Sequence, residues 1–508
     1  MMTKQTIAVL FICVCLFVRS AYSNERPDVV FIMVDDLRPM LGCYGAPHIQ
    51  TPNIDRLAER SVVFDRAYCQ FAKCGPSRLS LMTGLRPDST RVYGHSKDDL
   101  NRFRNDKHEA VSIARWFKEH GYRTLSFGKI DHDGWQQADD WSEPPSPGRE
   151  QEILEIVDTQ NPSGPTIIAD RFNCPFYQSP EVSDETLFAG RMTKQVTETI
   201  RVRDGDDPLF LAVGYRRPHL PLVAPQQYFS LYKPDRSWLA VNPQPAQNSP
   251  IVAWLNSVAY AKSAARLGFA MPKNPSRSEA MLWSGYELRS YVGVPNVGEI
   301  PESVQLQILQ AYAACVSYVD AQVGKIIEAL EETGRLDKSI VILCSDHGWH
   351  LGEQSAWAKM TNFEVATRVP LIVAAPGIKP GRSTMLTELV DVYPTLCELT
   401  GIPAPKHLEG ESFVRELTGE GAGQSFALSQ ISRHGDKYMG RAIRTDRFRY
   451  VEWTETANGR VFERELYDHR TDPNETVNVA SNLEYSEHVQ RLHRLIVRSF
   501  GIAEGANE

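Results

Sequence analysis

Residues 29–34 read VVFIMV and residues 340–344 read IVILC, and carboxylates follow each run, Asp35-Asp36 after the first and Asp346 after the second. An apolar, β-branched run with no polar alternation needs cover on both faces. That is the setting of a strand in a parallel sheet sandwiched between helices. PLFLAVGY (208–215) and VPLIVAAPG (369–377) have the same character, and SVVFDRAYC (61–69) and TLSFGK (124–129) read as further strands. Helical patterns lie between them. In 304–336, Val304, Ile308, Ala311, Tyr312, Val319, Val323, Ile326 and Leu330 recur at helical spacing, and LVDVYPTLCELTG (389–401) ends on a helix-stopping glycine. The alternation predicts an α/β fold with a large, mostly parallel sheet flanked by helices.

A chain of 508 residues exceeds one small core, and the pattern changes after the Gly-rich TGEGAGQ (418–424). RAIRTDRFRYVEW (441–453), ELYDHRTDPNE (465–475) and a helical stretch near 484–499 follow without crossovers. This predicts a catalytic α/β domain over 25–420 and a smaller antiparallel α+β subdomain over 421–508. Residues 232–303, rich in Pro, Asn and Ser, read as an elaborated loop region.

Lys4, the apolar run IAVLFICVCLFV (7–18) and the small residues Ala21 and Ser23 predict a signal peptide over 1–23, too short to span a bilayer. No later segment reads as a membrane helix, so the expectation is an exported chain without stable membrane insertion. It would be periplasmic or extracellular in a bacterium and lysosomal in an animal. A net charge of −8 argues against a basic face for nucleic acid. Beyond the leader stand seven cysteines, an odd number with no CxxC spacing. Cys315 and Cys344 lie in apolar surroundings and read as buried thiols.

Parallel strands bring their carboxyl ends to one sheet edge, where ligand sites of open α/β sheets gather. Asp35, Asp36, Asp346 and His347 therefore converge, and repelling carboxylates there suit a hard divalent cation, Ca²⁺ or Mg²⁺. Cations follow the same strand ends: Lys129 and His132 in GKIDH, His219 in GYRRPHLPL and Lys359 in EQSAWAKMTNF. Arg78 stands one helical turn after Cys74. Together they describe a pocket for a compact oxyanion, phosphate or sulfate.

Cys74-Gly75-Pro76-Ser77-Arg78, extended by TGLRP (83–87), resembles the signature of type I sulfatases, members of the alkaline phosphatase superfamily. DDLRPMLGCYG, TPNIDRLAERS, FLAVGYRRPHLP and SDHGWHLGEQSAWAKMTNFEVATRVPLI are similar to the iduronate-2-sulfatase group and its bacterial members. The resemblance runs from about residue 27 to the C-terminus and weakens in 135–200 and 235–300. It implies that Cys74 becomes formylglycine through a formylglycine-generating enzyme, and that the hydrated aldehyde is the nucleophile. It further implies that Asp35, Asp36, Asp346, His347 and residue 74 hold Ca²⁺, with His347 either a ligand or a hydrogen-bond donor to sulfate. By the same resemblance Asp346 accepts the nucleophile's proton, and Arg78, Lys129 and Lys359 neutralise sulfate. His219 would protonate the leaving sugar oxygen, and His132 would drive sulfate release. Lys437 would meet a uronate carboxylate and Trp349 would wall the sugar. The expected substrate is a sulfated sugar or polysaccharide, a 2-O-sulfated uronate in particular. A phosphate or phosphonate monoester hydrolase of the same superfamily and a non-catalytic sulfated-glycan-binding protein are the alternatives.

Overall fold

The structure, a computed structural model, describes residues 26–146, 173–203, 205, 207–255, 265, 268–285, 287–421 and 423–502, with the backbone of 155–157 and 165–167. The expected signal peptide lies outside the described residues.

The main sheet has eight strands: β1 (Asp28–Val34), β2 (Val62–Tyr68), β3 (Arg123–Gly128), β4 (Leu209–Tyr215), β5 (Ser339–Ser345), β6 (Arg368–Val369), β7 (Leu371–Ala374) and β8 (Gly381–Glu388). They run in the order β6-β2-β7-β5-β1-β4-β3, and β8 also pairs with β2. The pairs β5-β1, β1-β4, β4-β3 and β2-β8 are parallel, while β7 is antiparallel to both β5 and β2. The fold class read from the sequence is thus the observed one. β1 shows why its run is unbroken: Val30, Ile32 and Val34 enter one core, and Val29, Phe31 and Met33 enter the other.

Helices cover both faces. α1 (Pro52–Ala58), α2 (Cys74–Thr83), α3 (Ile113–Glu119), α4 (Phe188–Arg201), α5 (Glu302–Glu332) and α6 (Val392–Thr400) are the main ones. The long α5 packs against α4 and α1 and lends Ala311, Tyr312, Val319, Val323, Ile326 and Leu330 to the core on the Val30 side. α4 and β8 were not read from the sequence. β8 escapes because its outer half is polar and exposed.

The C-terminal region forms a four-stranded antiparallel sheet, β9 (Phe426–Arg433), β10 (Tyr438–Thr445), β11 (Phe448–Glu455) and β12 (Val461–Asp468), covered by α7 (Ser486–Ser499). It shares a core with the main body: Phe71, Met360 and Phe363 pack with Ile431, Ala442, Val451, Trp453 and Tyr467. Among the described residues none of the seven cysteines is in a disulfide, and Cys315 and Cys344 are fully buried. No described helix is long and apolar enough to cross a membrane.

A buried ion cluster ties the two parts together. Arg449 donates to Glu475 at 2.6 Å and also binds Glu364, which Arg444 reaches at 3.1 Å. Burial alone would raise both carboxyls, but Arg444 and Arg449 hold Glu364 well below its usual range, and Arg449 and His469 lower Glu475. A carboxylate lowered on folding stabilises above its unfolded pKa, about 4.3, and that contribution fades as pH falls through the folded value. Arg449→Met is expected to cost about 3–5 kcal/mol in urea unfolding at pH 7, with the gap to the parent shrinking below pH 4. An equal loss at both pH values would mean that packing, not charge, ties the sheet down.

Candidate active site

Register decides which acids meet. Val34 pairs with Tyr215 on one side and Ser345 on the other, so Asp35-Asp36 and Asp346-His347 leave the sheet side by side. The Ser345 hydroxyl stitches the two ends, donating to Val34 O at 2.7 Å and accepting from the Leu37 N–H at 3.0 Å. Asp36 sits at φ 61°, and Tyr312 of α5 fixes the bend by donating to its carbonyl at 2.8 Å.

Cys74 is the first residue of α2, a ten-residue helix buried along its whole length. One turn on, Arg78 donates through Nε to Asp346 Oδ2 at 2.8 Å and lies 3.4 Å from Asp35 Oδ1. Lys129 bonds Asp35 Oδ2. Its approach needs the glycines that end the neighbouring strands: a Cβ at Gly214 would lie 2.0 Å from Lys129 O, and one at Gly128 would lie 2.2 Å from Gly214 O. Lys359 reaches Asp36 Oδ1 at 2.8 Å, with the Trp349 ring beneath its ammonium. His347 Nε2 is 3.3 Å from the Cys74 sulfur and 3.6 Å from Asp346.

Asp35, Cys74, Asp346 and His347 each offer a ligand atom, all within 4.8 Å of one another. Asp35 Oδ1 and Asp36 Oδ2 are buried without a hydrogen-bond partner, as are Arg78 Nη2 and His132 Nδ1. Carboxylate oxygens and cationic and imidazole nitrogens left without hydrogen bonds suit a hard cation on one side and an oxyanion on the other. Burial raises Asp36 well above the usual carboxylate range, with Asp35 adding to the effect. Against burial, Lys129 and Arg78 hold Asp35 well below it. The Cys74 thiol, pushed up to about 11 by burial and then Asp35, is not a thiolate at neutral pH.

The two histidines lie further out. His219 Nε2 is 3.4 Å from Glu287, whose other oxygen is 3.5 Å from Lys359. Burial, then Lys359, lowers the His219 imidazole well below its usual value. His132 is lowered to about 3 by burial and Lys129, and its ring stacks on His95 at 3.7 Å. His95 Nε2 in turn accepts from the Gly75 N–H at 3.3 Å. Neither Glu287 nor His95 was anticipated, because no strand end or family motif marks them. Trp349, 4 % exposed, belongs to the core and cradles Lys359. Lys437 lies on the exposed β9–β10 turn with its ammonium over the Tyr438 ring. The same β10 meets the loop that carries Lys359 at Gly440, whose carbonyl accepts from Asn362 at 2.9 Å.

The Sulfatase family model matches residues 27–402, and a second model, N-sulphoglucosamine sulphohydrolase, C-terminal, matches 352–500. The chain is 33 % identical to human iduronate 2-sulfatase, covering 85 % of this chain and 86 % of that one. It is 31 % identical to a sulfatase of Formosa agariphila, covering 94 % and 87 %. A solved phosphonate monoester hydrolase of Agrobacterium radiobacter shares the fold at a TM-score of 0.68 and 22 % identity, covering 93 % of this chain and 95 % of that one.

The cation test is direct. Titrating Ca²⁺ or Mg²⁺ into chelator-treated protein is expected to raise its melting temperature, with about 2.7 kcal/mol of added stability at a hundred times Kd. Asp35→Asn should lose most of that gain. A parent melting curve indifferent to both ions would remove the cation from this site.

Proposed function

Because the chain belongs to the sulfatase family and is thereby a sulfuric ester hydrolase, we propose that it removes sulfate from a sugar, a 2-O-sulfated uronate of a polysaccharide or glycosaminoglycan, with Cys74 matured to formylglycine by a formylglycine-generating enzyme. The observation that carries this reading is the meeting of Cys74, at the start of a buried helix, with three buried carboxylates and three buried cations. The uronate preference draws its support from the similarity to iduronate 2-sulfatase across most of both chains.

Asp35, Asp36, Asp346 and His347, with residue 74, would hold Ca²⁺ or Mg²⁺, which when bound makes a nearby hydroxyl more acidic and draws charge from sulfate oxygens. As formylglycine, residue 74 would supply two hydroxyls of a hydrated aldehyde, one to attack sulfur and a second whose deprotonation re-forms the carbonyl and breaks the C–O bond to the sulfated oxygen. Asp346 accepts the proton of the attacking hydroxyl. Arg78, Lys129 and Lys359 take the charge on the sulfate oxygens, held in place beforehand by Asp346, Asp35 and Asp36. His219 delivers a proton to the sugar oxygen as the S–O bond breaks. Burial keeps its imidazole neutral in the free protein, so Glu287 and the incoming anion supply the negative charge that favours its protonated form. His132 then takes the proton of the second hydroxyl, the C=O bond re-forms, and sulfate leaves. The positive dipole end of α2 favours the anion throughout. Lys437, exposed on its turn, is assigned to the uronate carboxylate, and Trp349 to the support of Lys359 beside the sugar.

Mass analysis of the peptide spanning 71–87 is expected to show loss of one sulfur and two hydrogens and gain of one oxygen. Intact Cys74 in active protein from the native host would sink the formylglycine step. Cys74→Ala should lower sulfate release from a 2-O-sulfated uronate disaccharide by at least about 10⁴-fold. Faster turnover of a phosphate or phosphonate monoester than of any sulfate ester would move the substrate assignment to the superfamily alternative.

His219 has its own signature. His219→Ala should slow a sugar sulfate about 10²–10⁴-fold but leave an aryl sulfate, whose phenolate departs unaided, within a few-fold of the parent. Equal losses on both substrates would assign the leaving-group proton elsewhere.

A further inference from the structure

At the far end of the C-terminal sheet lies a cleft of about 740 Å³ between the β10–β11 turn and α7. Five arginines line it, Arg447, Arg470, Arg491, Arg494 and Arg498, together with His488. Three of them form a stripe on α7, because residues 491, 494 and 498 fall at helical spacing on one face. The opposite face buries Leu492 and Ile496 against Ile443, Phe448 and Tyr450. The one lining carboxylate, Asp446, is paired with Arg66 at 2.7 Å. Arg447 is held by Asp468 and has its charge balanced. The side chains of Arg491, Arg494 and Arg498 are exposed with no ion pair found for them among the described residues, while the exposed Arg470 acts on Asp446.

Three guanidiniums without a carboxylate partner along one helix face repel one another, and on a chain of net charge −8 they are a local exception to the average. Guanidinium forks match sulfate oxygens in pairs, better than an ammonium does. From Arg491 to Arg498 the stripe extends about 10 Å along the helix, so it faces several anionic groups in a row. The 434–437 turn lies at the opposite end of β10, about 24 Å away along the strand. One sugar unit cannot touch both ends.

We propose that this cleft is a second binding surface, which holds a sulfated polysaccharide chain away from the bond being cut. The inference rests on the polymeric substrate of the proposed function. Charge complementarity favours this occupant. Nucleic acid fits less well, because Phe448 of the cleft is 1 % exposed and only the half-buried His488 imidazole is left for a base to stack on.

The test compares the full-length parent with Arg491→Gln/Arg494→Gln/Arg498→Gln and the corresponding triple Glu variant. Immobilised heparin is the probe for retention, and a sulfated polysaccharide and a sulfated disaccharide are the substrates. Both variants should elute at lower salt, the Glu variant lowest, and KM for the polymer should rise at least tenfold. Disaccharide kcat/KM should stay within twofold of the parent, which also certifies folding. Unchanged retention and polymer KM would overturn the proposal while leaving the active-site reading intact. Failure of the parent to hydrolyse either substrate would overturn that reading instead, and retention would still test the cleft. Single-stranded DNA held as tightly as heparin, and lost in the same variants, would overturn the sulfated-glycan assignment in favour of a general polyanion site.

Discussion

Three carboxylates buried at one sheet edge are the constraint on which the rest depends. Asp35, Asp36 and Asp346 are each 0 % exposed, and the parallel register of β1 and β5 gives them no way to separate. Charges taken from water at this depth are costly unless paired. Their partners come from three separate segments, Arg78 on α2, Lys129 after β3 and Lys359 in the loop after β5. Neutralising the acids thus closes the active-site face, because each loop is anchored by its own cation. The same logic recurs at Glu364 and Glu475, where Arg444 and Arg449 clamp the C-terminal sheet to the body.

This charge count also prepares the chemistry. The three acids are matched by three cations, and burial, with Asp35 adding to it, raises the Asp36 carboxyl well above the usual range. A divalent cation among these oxygens would counter that rise and turn a balanced cluster into an anion receptor. Dipoles and cations fixed before substrate arrives need not reorganise during reaction, which is where buried polar sites gain their catalytic effect.

How much of this could be read from the sequence follows from where each signal is stored. β1, β4 and β5 were legible because strands buried on both faces are apolar throughout, and their ends located the acids. The basic side chains at strand ends were legible for the same reason. α4 and β8 were not, since one is amphipathic in a region of weak resemblance and the other is half exposed. Glu287 and His95 lie on loops whose sequence has no period, so only the folded chain brings them to Lys359, His219 and His132. The arginine stripe of α7 was hidden by averaging: net charge describes the whole surface and is silent about one helix face.

Glu287 connects that illegible region to the chemistry. It stands in the segment where the family resemblance fades, yet its two oxygens face Lys359 at 3.5 Å and His219 at 3.4 Å. Lys359 in turn binds Asp36, so this segment bears on one of the cations paired with the buried acids and on the imidazole proposed for the leaving group. A substitution at Glu287 therefore alters the charge that faces Lys359 and His219 together. One carboxylate thus couples a segment outside the family motifs to two groups of the proposed machinery.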